Sequence, residues 1–175
     1  RVSEGVLLST PSRSMKTGLK LLLFLVPAVA ATLYALWRFS PEQTVIRRAE
    51  VLFTCLEKST LSTGTPSDRA ERFQIMLSPA LEIRGPHPVE SGAISPAQAG
   101  RMLKDFHNSI TSCKISREEE SVNFPAEDHA VYQAAIFAEI AQGPGRKYHM
   151  RYHCRIEFKR SGRDWLVEAI VLTPV

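Results

Sequence analysis

Tyr132, Tyr148 and Tyr152 are the side chains of this chain best placed to touch a reacting atom. Together with a series of small and apolar residues, they share one alternating parity across its last third. A phenol donates to a developing oxyanion, but moving a proton also needs a base held beside it. No such base shares the inner parity of those strands, so the tyrosines read as core residues with hydroxyls at the rim, and catalysis is not expected. One strand earlier, the alternation that turns Cys113 and Ile115 inward also turns Arg117 and Glu119 inward. They form either a pocket ion pair for a polar ligand or the solvated end of an edge strand. The cost of burying charge favours the solvated end.

His87 stands between Pro86 and Pro88 in a loop. In an enzyme its acid–base partners would be Glu82, Glu90 or Asp105; otherwise it is an exposed loop histidine. His149 and His153 are four residues apart on a strand, about 13 Å, too far to share a metal. His129 adds no ligand spacing, and no Cys-x-x-Cys or Cys/His cluster occurs. Neither a metal nor a cofactor is expected. Cys55, Cys113 and Cys154, an odd number, read as small buried hydrophobes.

These side chains are positioned by an antiparallel meander over residues 129–175. Gly143-Pro144-Gly145 closes one hairpin and Ser161-Gly162 the next. Paired outward from those turns, one face collects Tyr132, Ala134, Ile136, Ala138 and Ile140. It continues with Tyr148, Met150, Tyr152 and Cys154, then Trp165, Val167, Ala169 and Val171. A one-residue slip would exchange the faces, so the pattern specifies the register. The other face carries Phe137, His149, Arg151, His153, Arg155, Leu166, Ile170 and Leu172. Arg151 is expected across from Phe137 and Leu172, and Arg155 between Gln133 and Glu168. Aliphatics, an aromatic and arginines on one face suit a contact surface, for a homodimer or a subunit of a membrane complex.

Ahead of the meander, Ser40-Pro41, Thr65-Pro66 and Ser95-Pro96 each set a hydroxyl N-cap before a first-turn proline. The helices they open carry apolar stripes: Val45, Ala49, Leu52, Phe53 and Leu56; Ala70, Phe73 and Leu77; Ala99, Met102, Leu103, Phe106 and Ile110. Residues 80–84 and 91–94 read as two short strands, and residues 111–124 as a long polar edge strand.

Residues 19–39 are almost wholly apolar, with Arg13, Lys16 and Lys20 before or at their start and Tyr34 and Trp37 near their end. That length and those flanks describe a single-pass transmembrane anchor, with residues 1–18 as a tail and residues 41–175 as an extracytoplasmic domain. The alternative is a signal segment cleaved after Ala28-Val29-Ala30, leaving a secreted domain. The net charge of +4 comes from the first 39 residues; from Ser40 onward 17 basic residues face 17 acidic ones. A neutral domain lacks the field that nucleic acid binding requires.

The helix exit Leu77-Ser78-Pro79-Ala80-Leu81-Glu82-Ile83-Arg84-Gly85 resembles the nuclear transport factor 2-like (SnoaL-like, cystatin-like) superfamily. So do Gly92-Ala93-Ile94-Ser95-Pro96 and the closing strand Trp165–Val171. The resemblance spans about residues 41–173. It implies an α+β fold in which a curved antiparallel sheet wraps three helices into a cone, here behind one transmembrane helix. It also implies either a non-catalytic interaction or assembly module, or a small-molecule binder, isomerase, cyclase or hydrolase using the cone. An anchor followed by such a domain is similar in layout to inner-membrane assembly proteins of type IV secretion and to membrane proteins of lipid-transport operons.

Overall fold

The computed structural model describes residues 26–34, 37–38, 40–59, 65–86, 91–143 and 145–175. The chain forms two compact units, residues 1–40 and residues 41–175. In the first, residues 26–34 are helical. Thr32 Oγ1 donates to the Ala28 carbonyl at 2.8 Å. No helix among the described residues is long and apolar enough to cross a membrane. Residues 1–18, and residues 19–25, 35, 36 and 39 of the apolar run, lie outside the described residues.

The second unit begins with helix α1 (Pro41–Leu56), followed by α2 (Pro66–Gln74), and its third helix is α3 (Pro96–Ser109). The caps of α2 and α3 are reciprocal. Thr65 Oγ1 accepts from the Asp68 N–H while the Asp68 carboxylate accepts from the Thr65 N–H at 2.8 Å, and Ser95 and Gln98 repeat the exchange. Each cap contributes about 1 kcal/mol. Helix α2 stops at Ile75, so Leu77, expected on its stripe, instead opens the first strand. On α3, Met102 is exposed, and His107 takes a buried place with Ala99, Gly100 and Leu103.

Six strands form one sheet: β1 (Leu77–Arg84), β2 (Gly92–Ile94), β3 (Ser112–Ala126), β4 (His129–Ala141), β5 (Lys147–Ser161) and β6 (Asp164–Pro174), in the order β2-β1-β6-β5-β4-β3. The expected all-antiparallel sheet has one exception, because β1 runs parallel to β6. They are separated by α3 and the whole meander, so the chain has length enough to re-enter in the same direction. The Val167 N–H donates to the Met76 carbonyl at 2.8 Å and starts that pairing.

One face of the sheet meets the helices. Val45, Ala49, Leu52 and Phe53 of α1 lie in one core with Leu81, Tyr132, Ile156, Phe158 and Trp165. Arg48 pairs with Asp164 and ties α1 to the β5–β6 turn. The β4–β5 register is the expected one throughout: Ala134 faces Cys154, Ile136 faces Tyr152, Phe137 faces Arg151 and Glu139 faces His149.

In β6 the alternation breaks. Phe158 pairs with Val167, but Glu157 pairs with Ala169, leaving Glu168 as an extra residue. Everything beyond it changes face. Ile170, opposite Ile156, and Leu172, opposite Cys154, therefore pack against the core. Both were expected on the outer face, where Ala169 and Val171 now stand. Leu172 does not neighbour Arg151, and Arg155 lies between Gln133 and Val171.

The bulge makes a testable ordering. Ile170→Ala is expected to lower the unfolding free energy by about 2 kcal/mol, and Val171→Ala by less than about 1 kcal/mol. Urea denaturation decides it, since an unbulged strand reverses the order.

Candidate functional site

A second bulge, in β3, builds the most distinctive polar cluster on the inner face. Arg117 pairs with Ile136, Glu118 with Ala135, Ser121 with Gln133 and Val122 with Tyr132. Two residues, Glu119 and Glu120, therefore stand against Ala134 alone. Glu119 absorbs the irregularity with φ +55°, a left-handed conformation uncommon outside glycine. The consequence is an exchange of carboxylates. Glu119 lines a groove on the outer face with Gln133, His153 and Arg155, and Glu120 turns inward.

Tyr132 is fully buried, and its hydroxyl donates to Glu120 Oε2 at 2.7 Å. A hydrogen bond to a charged acceptor contributes about 1.5–3 kcal/mol. Burial, and then the Glu120 carboxylate, push the phenol well above its ordinary value, so Tyr132 is a donor wherever the protein is folded. Arg117 Nη1 lies 3.7 Å from Glu120 Oε2, with side-chain exposures of 23% and 32%. The guanidinium sits 5.3 Å over the Phe53 ring of α1, and that ring is 6.1 Å from Tyr132. Arg117 Nη1 is itself buried and, beyond that ion pair, makes no hydrogen bond. Such an unmade bond costs roughly 1–3 kcal/mol, which an acceptor oxygen from another molecule would offset. The cluster thus joins a cation with a spare donor, a carboxylate and a fixed phenol beside an aromatic wall.

The remaining site residues expected from the sequence are scattered. Tyr152 is half-buried and donates to Met150 Sδ at 3.4 Å, while Tyr148 is 47% exposed, so neither joins Tyr132. His87 and Glu90 lie outside the described residues. Glu82 is held by Arg84 through two bonds of 2.9 Å, and Asp105 is exposed on α3. His149 lies 3.9 Å from Glu139, and His129 binds Asp128 at 2.8 Å. Phe137, His149, Arg151, His153, Arg155 and Leu166 keep their outer-face register, with Arg151 stacked 4.5 Å over Phe137. The three cysteines are free and buried, and burial pushes Cys113 up to about 11 and Cys154 up to about 12. Among the described residues no group of three or more potential ligands could hold a metal.

Two residues escaped the sequence reading. Glu120 was hidden because a bulge without glycine leaves no mark in a run of three glutamates. His107 did leave a signal, since Ala99, Leu103 and His107 follow at four-residue steps. Its Nε2 meets the Leu56 carbonyl at 3.1 Å, whereas its buried Nδ1 has no partner.

No family description and no curated protein matches the sequence. Solved structures do. A protein from Novosphingobium aromaticivorans, named provisionally as a scytalone dehydratase, superposes with a TM-score of 0.61 at 9% identity, over 76% of this chain and 83% of its own. A provisionally named dehydratase of nuclear transport factor 2-like type from Streptomyces avermitilis gives 0.62 at 9%, over 76% and 95%. A ketosteroid isomerase-like protein from Erwinia carotovora atroseptica gives 0.59 at 8%, over 78% and 98%. The fold is therefore nuclear transport factor 2-like α+β.

His107 supplies the pH test. Burial, with Arg69 and Lys58 nearby, holds its pKa below the ordinary 6.5. The folded imidazole stays neutral where the unfolded one binds a proton, so its contribution to stability falls as pH drops below 6.5. The loss in melting temperature from about pH 8 to about pH 5 is expected to be smaller in His107→Asn than in the parent. Equal losses in thermal scans would contradict the assignment.

Proposed function

We propose that the domain binds a small molecule on the inner face of its sheet, with Arg117, Glu120 and Tyr132 as the polar anchor and Phe53 as the apolar one. The observation that carries this reading is the buried Arg117 Nη1, ion-paired with Glu120 but making no hydrogen bond, beside a phenol already committed to Glu120. A guanidinium with a spare N–H beside a ring suits an aromatic or otherwise apolar molecule bearing a carboxylate or carbonyl oxygen. The Glu120–Tyr132 pair has the composition for moving a proton next to such a carbonyl: a carboxylate as acceptor and a phenol that stays protonated. Names given to proteins of the same fold, dehydratase and ketosteroid isomerase-like, are in keeping with that class.

A second reading, contact with another copy or subunit through the outer face, draws on Arg151 over Phe137 and the exposed His149, His153 and Arg155. One titration separates the two. With benzoate as probe, amide shifts are expected at Phe53, Arg117, Glu120 and Tyr132. Arg117→Ala is expected to weaken binding by about tenfold, equivalent to about 1.4 kcal/mol. Shifts confined to the outer face and dependent on protein concentration would favour the contact surface instead. Unchanged benzoate affinity in Arg117→Ala would overturn the proposed site.

A further inference from the structure

The end of α1 meets the starts of β3 and β5 and the end of β4 around an open cleft of about 920 Å³. Lys58, Arg69, Lys114 and Lys147 line it against two carboxylates, Glu57 and Glu139. Both carboxylates are engaged. Glu57 Oε1 accepts from the Ile115 N–H at 3.1 Å, and Glu139 stands between Lys114 and His149 in the sheet. Two of the cations are fixed by backbone oxygens. Lys58 Nζ donates to the carbonyls of His107 and Ile110, at 2.5 and 2.6 Å, and Arg69 Nη1 donates to the Glu57 carbonyl at 2.8 Å. The wall itself is pinned, because Lys58 and Cys113 exchange both backbone hydrogen bonds, at 2.9 and 2.8 Å. Ile140 and Ala141 add apolar lining.

The domain as a whole is neutral, so an excess of two positive charges gathered on a pinned wall leaves the remainder net acidic and marks this cleft out. Cations already held in place lose little further freedom on binding. We propose that this cleft is a second binding site, separate from the inner-face cluster, for an organic phosphate monoester whose apolar body lies against Ile140 and Ala141. A dianion matches the local excess, and one carboxylate would leave part of it unanswered. The phosphate can belong to a soluble molecule or to a lipid headgroup, and the recognition chemistry is the same.

The test uses the full chain in two arms: calorimetric titration with glycerol 3-phosphate, and co-sedimentation with phosphatidylcholine vesicles with and without phosphatidic acid. Binding is expected in at least one arm. It should weaken by about tenfold in the Lys114→Glu, Lys147→Glu double variant and as salt rises, and should be unchanged in Arg163→Glu, exposed in the β5–β6 turn at the other end of β5. Saturable binding of glycerol 3-phosphate identifies a soluble ligand; binding only to phosphatidic acid vesicles identifies a headgroup. If charge reversal prevents folding, the Lys114→Gln, Lys147→Gln pair carries the comparison and is expected to show a smaller loss. The proposal is overturned if neither probe binds, or if a folded double variant binds as the parent does.

Discussion

A residue in a β-strand has two faces to choose between, and in this sheet that choice decides what is core, what is surface and what can act as a site. Alternation alone would assign every side chain once the turns are fixed. Of the sheet's irregularities, two single-residue bulges override it where core and cluster are decided. Glu168 in β6 brings Ile170 and Leu172 into the core and sends Val171 outward, while the extra residue in β3 turns Glu120 under Tyr132. Polar cluster and apolar core rest on the same rule, each with one exception to it.

The β3 bulge also explains how a fully buried tyrosine keeps its hydroxyl satisfied. A buried phenol without an acceptor would cost about 1–3 kcal/mol, more than a typical hydrogen bond contributes. Glu120 removes that cost while remaining part-exposed at the edge of the sheet, where a carboxylate is tolerable. Arg117 balances its charge from above Phe53. Tyr132, Phe53 and the backbone of β4 are rigid parts of the core, whereas Arg117 and Glu120 retain contact with solvent. A rigid donor and a reachable ion pair are what a binding cluster needs.

Much of this was legible in the sequence because it follows from strong local signals. The Thr65 and Ser95 caps carry their own hydrogen-bonding pattern, and the β4–β5 hairpin declares its register through alternating small and aromatic residues. The bulges were not legible, since neither Glu119 nor Glu168 is a residue type that favours an irregular strand. Tyr132 is therefore legible without its partner, and strict alternation puts Glu119 in the inward place that Glu120 occupies. The parallel β1–β6 pairing was hidden as well, because it joins segments far apart in the chain. His107 was overlooked although its helical spacing was visible.

Deleting Glu119 tests the β3 bulge most directly. Without it, Arg117, Glu120 and Val122 would still alternate inward and Glu118 and Ser121 outward, with no left-handed residue in the strand. The account predicts an unfolding free energy within about 1 kcal/mol of the parent, and a Tyr132 phenol that still resists titration in the folded state. A loss of several kcal/mol, or a Tyr132 that titrates like a free phenol, would contradict it and return Glu119 to the inner face.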